Sequence, residues 1–142
     1  MPIVNDQGFG LDEAIAFTAH DDLDDQPKHR AIAVDLPNDR DPADLAPNFE
    51  RIALIRIPFP SFADGRGFSV AKRLRSLGYR GRLRAHGHVI ADQYGLARSC
   101  GFDEIEIDDA LAARQTEKQW RDAARRPRTS YRDKYRKGAG PA

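Results

Sequence analysis

The sequence predicts a small α/β domain: a four-stranded, mainly parallel sheet with βα repeats, like half of a βα barrel. Three observations lead there. Between Ile52 and Ile107, apolar β-rich runs alternate with helix-like runs, in the order strand, helix, strand, helix, strand. That alternation indicates crossover units and a parallel sheet. The length of 142 residues suits one domain with a real core. It falls short of the roughly 250 residues that a closed eight-fold barrel needs. Composition agrees, at 40% hydrophobic and 32% charged residues. A single cysteine, Cys100, excludes an intrachain disulfide, and no apolar run is long enough to cross a membrane. A cytoplasmic location is therefore expected.

Taken in order, residues 1–30 are read as an N-terminal arm and short helix. Met1 to Gly10 holds two glycines and no period; Leu11 to Ala19 has Leu11, Ile15 and Thr18 near one helical face. Asp21 to His29 is polar, contains Pro27 and reads as a loop. The α/β domain spans 31–124. Ala31 to Leu36 is its first strand. Asp41-Pro42-Ala43-Asp44 starts a short helix, with an acid as N-cap and proline at the first helical position, ending near Pro47. Ile52 to Phe59 is the second strand, stopped by Pro58 and Pro60, which cannot donate to a ladder. A helix from about Gly67 to Leu77 carries the stripe Val70, Leu74 and Leu77, with Lys72, Arg73 and Arg75 off it, and stops at Gly78. Arg82 to His88 is the third strand, Ala91 to Cys100 a short helix ended by Gly101, and Phe102 to Ile107 the fourth strand. Asp108 or Asp109 caps a last helix through about Ala124. Residues 125–142 are expected to be a basic, flexible tail.

Charge divides along the chain. Residues 1–50 hold twelve acids against three bases, a net of −9; residues 113–142 hold ten bases against three acids, a net of +7. Such polarity favours head-to-tail contacts or acidic partners, unless both ends are simply solvated.

Two constellations carry the chemistry. Asp64, Gly65, Arg66, Gly67 and Ser69 follow a strand and open a helix. Free N–H groups there, glycines that permit close approach and a guanidinium fork predict an oxyanion site; the alternative is a plain capped turn. The run matches neither the Walker pattern nor the dinucleotide fingerprint. The second constellation follows from strand alternation. Ala53, Ile55 and Ile57 share one face with Leu83, Ala85, Ile105 and Ile107. The opposite face gathers Asp35, Arg56, Arg84, His86 and Glu106. A buried parallel strand is ordinarily apolar on both faces. The polar face is thus an ion-pair network, a surface covered by a second subunit, or a ligand site, and a homodimer is expected from it. His86 and His88 alternate across the strand, so no metal site is expected. Asp92 follows closely. No catalytic residue is assigned, and Cys100 reads as a buried, inert thiol.

The runs Phe59-Pro-Ser-Phe-Ala-Asp-Gly-Arg-Gly-Phe-Ser69, Leu74-Arg-x-x-Gly-Tyr-x-Gly81, Leu83-Arg-Ala85, Asp92-Gln93 and Cys100-Gly-Phe-Asp103 resemble bacterial domain-of-unknown-function family 934 over roughly residues 30–108. Many members carry Gly-Asp-Val where this chain has Gly87-His88-Val89. Members are often labelled oxidoreductases and are commonly encoded beside assimilatory sulfite reductase. The resemblance implies an accessory protein of assimilatory sulfate or sulfite reduction, binding the reductase or an oxyanion. Its expected partner is the sulfite reductase haemoprotein or another sulfur-assimilation protein. The alternative is a small enzyme acting on a phosphorylated or sulfur-oxyanion substrate at the strand carboxyl ends. No flavin, nicotinamide or iron–sulfur signature is present, so no cofactor is expected. A basic stripe without a known nucleic-acid-binding motif makes nucleic acid the weaker partner.

Overall fold

The structure, a computed structural model, describes residues 2–10, 15–26 and 31–126. Within them one sheet has seven strands, not the four expected: β1 (Ile3–Asn5), β2 (Gly8–Gly10), β3 (Phe17–Ala19), β4 (Ile32–Asp35), β5 (Ile52–Phe59), β6 (Arg82–Gly87) and β7 (Glu104–Glu106), in the order β2-β1-β7-β6-β5-β4-β3. The four expected strands are its centre. β3 to β7 run parallel, and β1 is antiparallel to both β7 and β2.

The additions come from the segment expected to be an arm and a helix. Residues 2–10 form a hairpin with a two-residue turn at Asp6 and Gln7, closed where the Gln7 N–H donates to Asn5 Oδ1 at 2.9 Å. Its strands are three residues long, too short for a period to show. Phe17–Ala19, expected as helix, pairs with β4 instead. Strand pairing overrides weak local helical preference there. Residues 11–14, and residues 27–29 of the expected loop, lie outside the described residues; His20–Asp25 is a 3-10 turn.

The helices are α1 (Arg66–Ser76), α2 (Tyr94–Cys100), α3 (Asp109–Arg114) and α4 (Glu117–Arg125). The segment opened by Asp41, whose carboxylate accepts from Ala43 N–H at 2.9 Å, is a 3-10 helix that passes Pro47 and ends at Arg51. The single last helix expected through Ala124 is two. Asp108 caps the first by accepting from Leu111 N–H at 2.7 Å. Thr116 restarts the chain, its N–H donating to Gln119 Oε1 at 2.7 Å, and the Trp120 indole donates to the Gln115 carbonyl at the break.

Five parallel strands in sequential order require every crossover to step the same way. One handedness then places the helices on one face. That face carries the apolar rows Val34, Ile55, Leu83 and Ile57, Ala85, Ile105, Val4, packed with Val70, Ala71, Leu74, Ala97 and Trp120. One departure from simple alternation occurs in β5. Ile32 pairs with Ile52, but Ala33 pairs with Leu54. Ala53 is therefore an extra residue, bulged and exposed, and not on the core face with Ile55 and Ile57 as expected. The bulge leaves both Ile52 and Ile55 buried in the core.

Candidate functional site

The polar residues gather on the other face. Register sets Asp35, Arg56, Arg84 and Glu104 in one row, with His86, Glu106 and Ile3 in the next. Arg56 grips Asp35 with two contacts, Nε to Oδ1 at 2.6 Å and Nη2 to Oδ2 at 2.9 Å. Its Nη1 donates to both oxygens of Glu106, at 3.2 and 3.1 Å. Arg84 bridges Glu104 (Nε, 2.6 Å) and Glu106 (Nη1, 3.0 Å), and Arg82 closes on Glu104 at 2.9 to 3.1 Å. The five residues expected on this face are thus brought together. Arg82 and Glu104, which alternate onto it, complete the network.

Among the described residues three guanidiniums meet three carboxylates. Arg84 is 1% exposed, and Glu104 and Glu106 are buried. The Phe17 ring lies over Arg56, 3.7 Å from ring centre to guanidinium carbon, and 5.9 Å from that of Arg84. Ile3, Ala33 and Leu54 are buried on the same face. The centre of this face is therefore closed within a single chain. Burial of such pairs roughly cancels their attraction, while loss of one member is costly. Toward the strand carboxyl ends the face opens: the side chains of His86 and Asp35 are 33% and 43% exposed. His86 Nε2 lies 3.3 Å from Glu106 Oε2. Burial is the main influence on the imidazole and outweighs the pull of Glu106, so its pKa lies below the ordinary value.

The Asp64 turn sits after β5 and opens α1, as its sequence suggests. Its guanidinium is already engaged. Asp64 accepts from Arg66 Nε at 3.0 Å, Arg66 Nη2 at 2.8 Å and Arg66 N–H at 3.2 Å, and from Asn38 Nδ2 at 3.3 Å. Those bonds from Arg66 hold the Asp64 carboxyl far below the usual carboxylate range. Gly67 serves packing: a Cβ there would stand 2.6 Å from the Phe59 ring. Ser69 is exposed on α1. No hydrogen bond or ion pair among the described residues joins this turn to Arg84 or His86. His88 Nδ1 lies 3.1 Å from the Phe59 carbonyl, which also accepts the His88 N–H, and its ring meets Phe62 edge-on. Gln93 caps the Ile90 N–H, and Asp92 pairs with Arg126 at 3.3 Å. Among the described residues no group of three His, Cys, Asp or Glu is placed to hold a metal ion. No helix there is long and apolar enough to cross a membrane.

Arg75, expected off the core, is 5% exposed. It donates to the carbonyls of Tyr79, Gly81 and Gly101 and to Asp103 Oδ2, at 2.7 to 3.1 Å. Asp103 Oδ2 also accepts the Leu83 N–H. Gly101, at φ +113°, leaves room for that side chain, since a Cβ would meet Arg75 Cγ at 2.6 Å. The Tyr79 hydroxyl donates to the Ile52 carbonyl at 3.2 Å and packs over Gly81. The runs from Leu74 to Gly81 and from Cys100 to Asp103 thus build one clamp at the amino ends of β6 and β7. That is the end of a parallel sheet opposite the usual ligand crevice. Cys100 is buried, and burial pushes its thiol up.

A family model described as "Bacterial protein of unknown function (DUF934)" matches residues 33–139. β1 to β3 precede the matched span, and the span continues past α4 through the basic segment. No curated protein and no solved structure matches.

Proposed function

This chain belongs to the DUF934 family, and from that premise we propose that it is an accessory protein of assimilatory sulfate or sulfite reduction that works by docking to a partner protein. The observation that carries this reading is charge saturation. The guanidiniums of the polar face are matched by carboxylates, and Arg66 is held by Asp64. A small oxyanion at either place has to displace a carboxylate that already fits. A protein partner needs no such vacancy. Sulfur assimilation enters through the family resemblance, and the partner it suggests is the sulfite reductase haemoprotein. In a deletion strain lacking any paralogue, growth on sulfate or sulfite should be poor and should recover with sulfide or cysteine. Normal growth on sulfate as sole sulfur source overturns the reading.

One observation favours a second reading, a small enzyme acting at the strand carboxyl ends on a phosphorylated or sulfur-oxyanion substrate. The pair of His86 and Glu106 stands there, with the carboxylate steadied by Arg56 and Arg84. A neutral imidazole oriented by a carboxylate suits acid–base work. Turnover of such a substrate by the purified chain, lost in His86→Gln, would establish this reading over the first.

A further inference from the structure

We infer that the outward faces of α1 and of the 3-10 helix Pro42–Arg51 together form the contact surface for a second copy of this chain, related to the first by a two-fold axis. The contact is independent of any partner in sulfur assimilation.

The two helices lie side by side. Each joins one parallel strand to the next, β4 to β5 and β5 to β6, so both run in the same direction, and they pack together. α1 turns Val70, Ala71 and Leu74 to the core. Its outward side carries Ser69, Lys72, Arg73 and Ser76, all exposed, and exposed Arg80 follows in the turn. No acid occurs between Asp64 and Asp92, so nothing on this helix offsets those cations. Arg66 is held by Asp64 and takes no part. A 3-10 helix sets every third residue on one line. The line that faces outward here is Asp41, Asp44, Pro47 and Glu50, all exposed. Asp41 also caps the Ala43 N–H. Among the described residues no ion pair engages Lys72, Arg73, Arg80, Asp41, Asp44 or Glu50.

An acidic ridge thus stands beside a basic one. A polyanion laid on α1 meets the carboxylates of the neighbouring ridge, and a polycation laid on the 3-10 helix meets the cations of α1. The partner that fits brings both signs in reversed order. A second copy, turned about a two-fold axis between the ridges, does so by symmetry: acid ridge on base ridge, twice over. The same rotation reverses direction, so Arg80 beyond the end of α1 comes toward the Asp41 and Asp44 end of the other copy's 3-10 helix. Charge complementarity of this kind fixes register and excludes partners of one sign.

The test is sedimentation of the full-length chain at low and raised salt. An acid-ridge variant carries Asp44→Lys and Glu50→Lys, and a base-ridge variant carries Lys72→Glu and Arg73→Glu. A control carries Arg114→Glu and Arg125→Glu, a charge change on α3 and α4 equal to that of the base-ridge variant. Thermal melting checks that each folds. The expected result is a wild-type dimer that dissociates as salt rises, with self-association at least ~10-fold weaker in each ridge variant but not in the control. An equimolar mixture of the two ridge variants is expected to restore a dimer, because one then presents two basic ridges and the other two acidic ones. The acid-ridge variant mixed with the control is not. A wild type that is monomeric at low salt overturns the inference, as do ridge variants that dimerise like the wild type. Equal weakening in the control, or equal rescue in the second mixture, shows that net charge alone matters. A mixture of ridge variants that stays monomeric shows that the ridges do not meet. Each of these outcomes overturns the inference and leaves the accessory reading to its growth test.

Discussion

Arg75 shows how far one side chain can decide a fold. Its fork satisfies carbonyls from two loops that the chain brings together from opposite sides of β6, and its charge is matched by Asp103. Arg75→Ala removes the guanidinium from those buried carbonyls and from Asp103, which keeps the Leu83 N–H, and is expected to cost on the order of 3 kcal/mol or more in chemical unfolding. Arg75→Lys should recover only part, because an ammonium cannot reproduce the planar fork. A loss below about 1 kcal/mol for Arg75→Ala would show that water or neighbours take over the clamp. His86 is the second residue with a measurable signature. Its folded pKa lies below the ordinary 6.5, chiefly through burial. The unfolded chain therefore binds the proton first as pH falls, and stability is full above about 6.5 and declines below it. His86→Gln should flatten that part of the melting-temperature profile against pH. An unchanged slope assigns the acid sensitivity to other groups.

At the scale of elements, the junction between β5 and α1 is a packing device with an ion pair on top. The Phe59 ring fills the space that a side chain at position 67 would need. Gly67→Ala should force the start of α1 off β5 and destabilise the domain by about 1–3 kcal/mol, read as a lower melting temperature. The ion pair above it makes a different prediction. Oxyanions at this turn compete with Asp64 for Arg66. Asp64→Asn weakens that internal competitor, so sulfate or phosphate should bind the variant more tightly than the native chain in NMR titration, and binding should fade as salt rises. Equal response of the two proteins would show that Arg66 does not set anion affinity at this helix start.

The described residues form a one-sided α/β layer. Its sheet is covered by helices on one face, and its other face is closed at the centre by Phe17 and by its own ion pairs. Self-association therefore loses the motive of covering a bare polar face. Besides the ridges of α1 and its 3-10 neighbour, what remains is the complementarity between the acidic residues 1–50 and the basic residues 113–142 of the sequence. A dimer formed that way should dissociate to monomer in sedimentation as salt rises toward about 1 M. A dimer that persists there points to an apolar interface instead.

The architecture was legible where the chain is repetitive. The β-branched run Ile52 to Phe59, the stripe of Val70 and Leu74 and the stop at Gly101 are local signals. Local signals of 3.6 and 2 residues identified β4 to β7, α1 and α2. Alternation also assigns Asp35, Arg56, Arg84, His86 and Glu106 to one face. Four things lay beyond sequence. β1 to β3 are three residues each with no alternation continuing past their ends, unlike β7, where Ile105 and Ile107 extend it; they exist because a neighbouring strand supplies their hydrogen bonds. The bulge at Ala53 is a property of the β4–β5 register, which no single strand encodes. Arg75 reads as a surface cation on its helix, and is buried because the loops at Gly81 and Gly101 happen to converge on it. The state of Arg66 was open for the same reason: a guanidinium two residues from a carboxylate can face solvent or turn back. Periodicity thus determined which residues share a face. Only the tertiary contacts decided which of those residues are already satisfied, because satisfaction depends on partners far away in sequence.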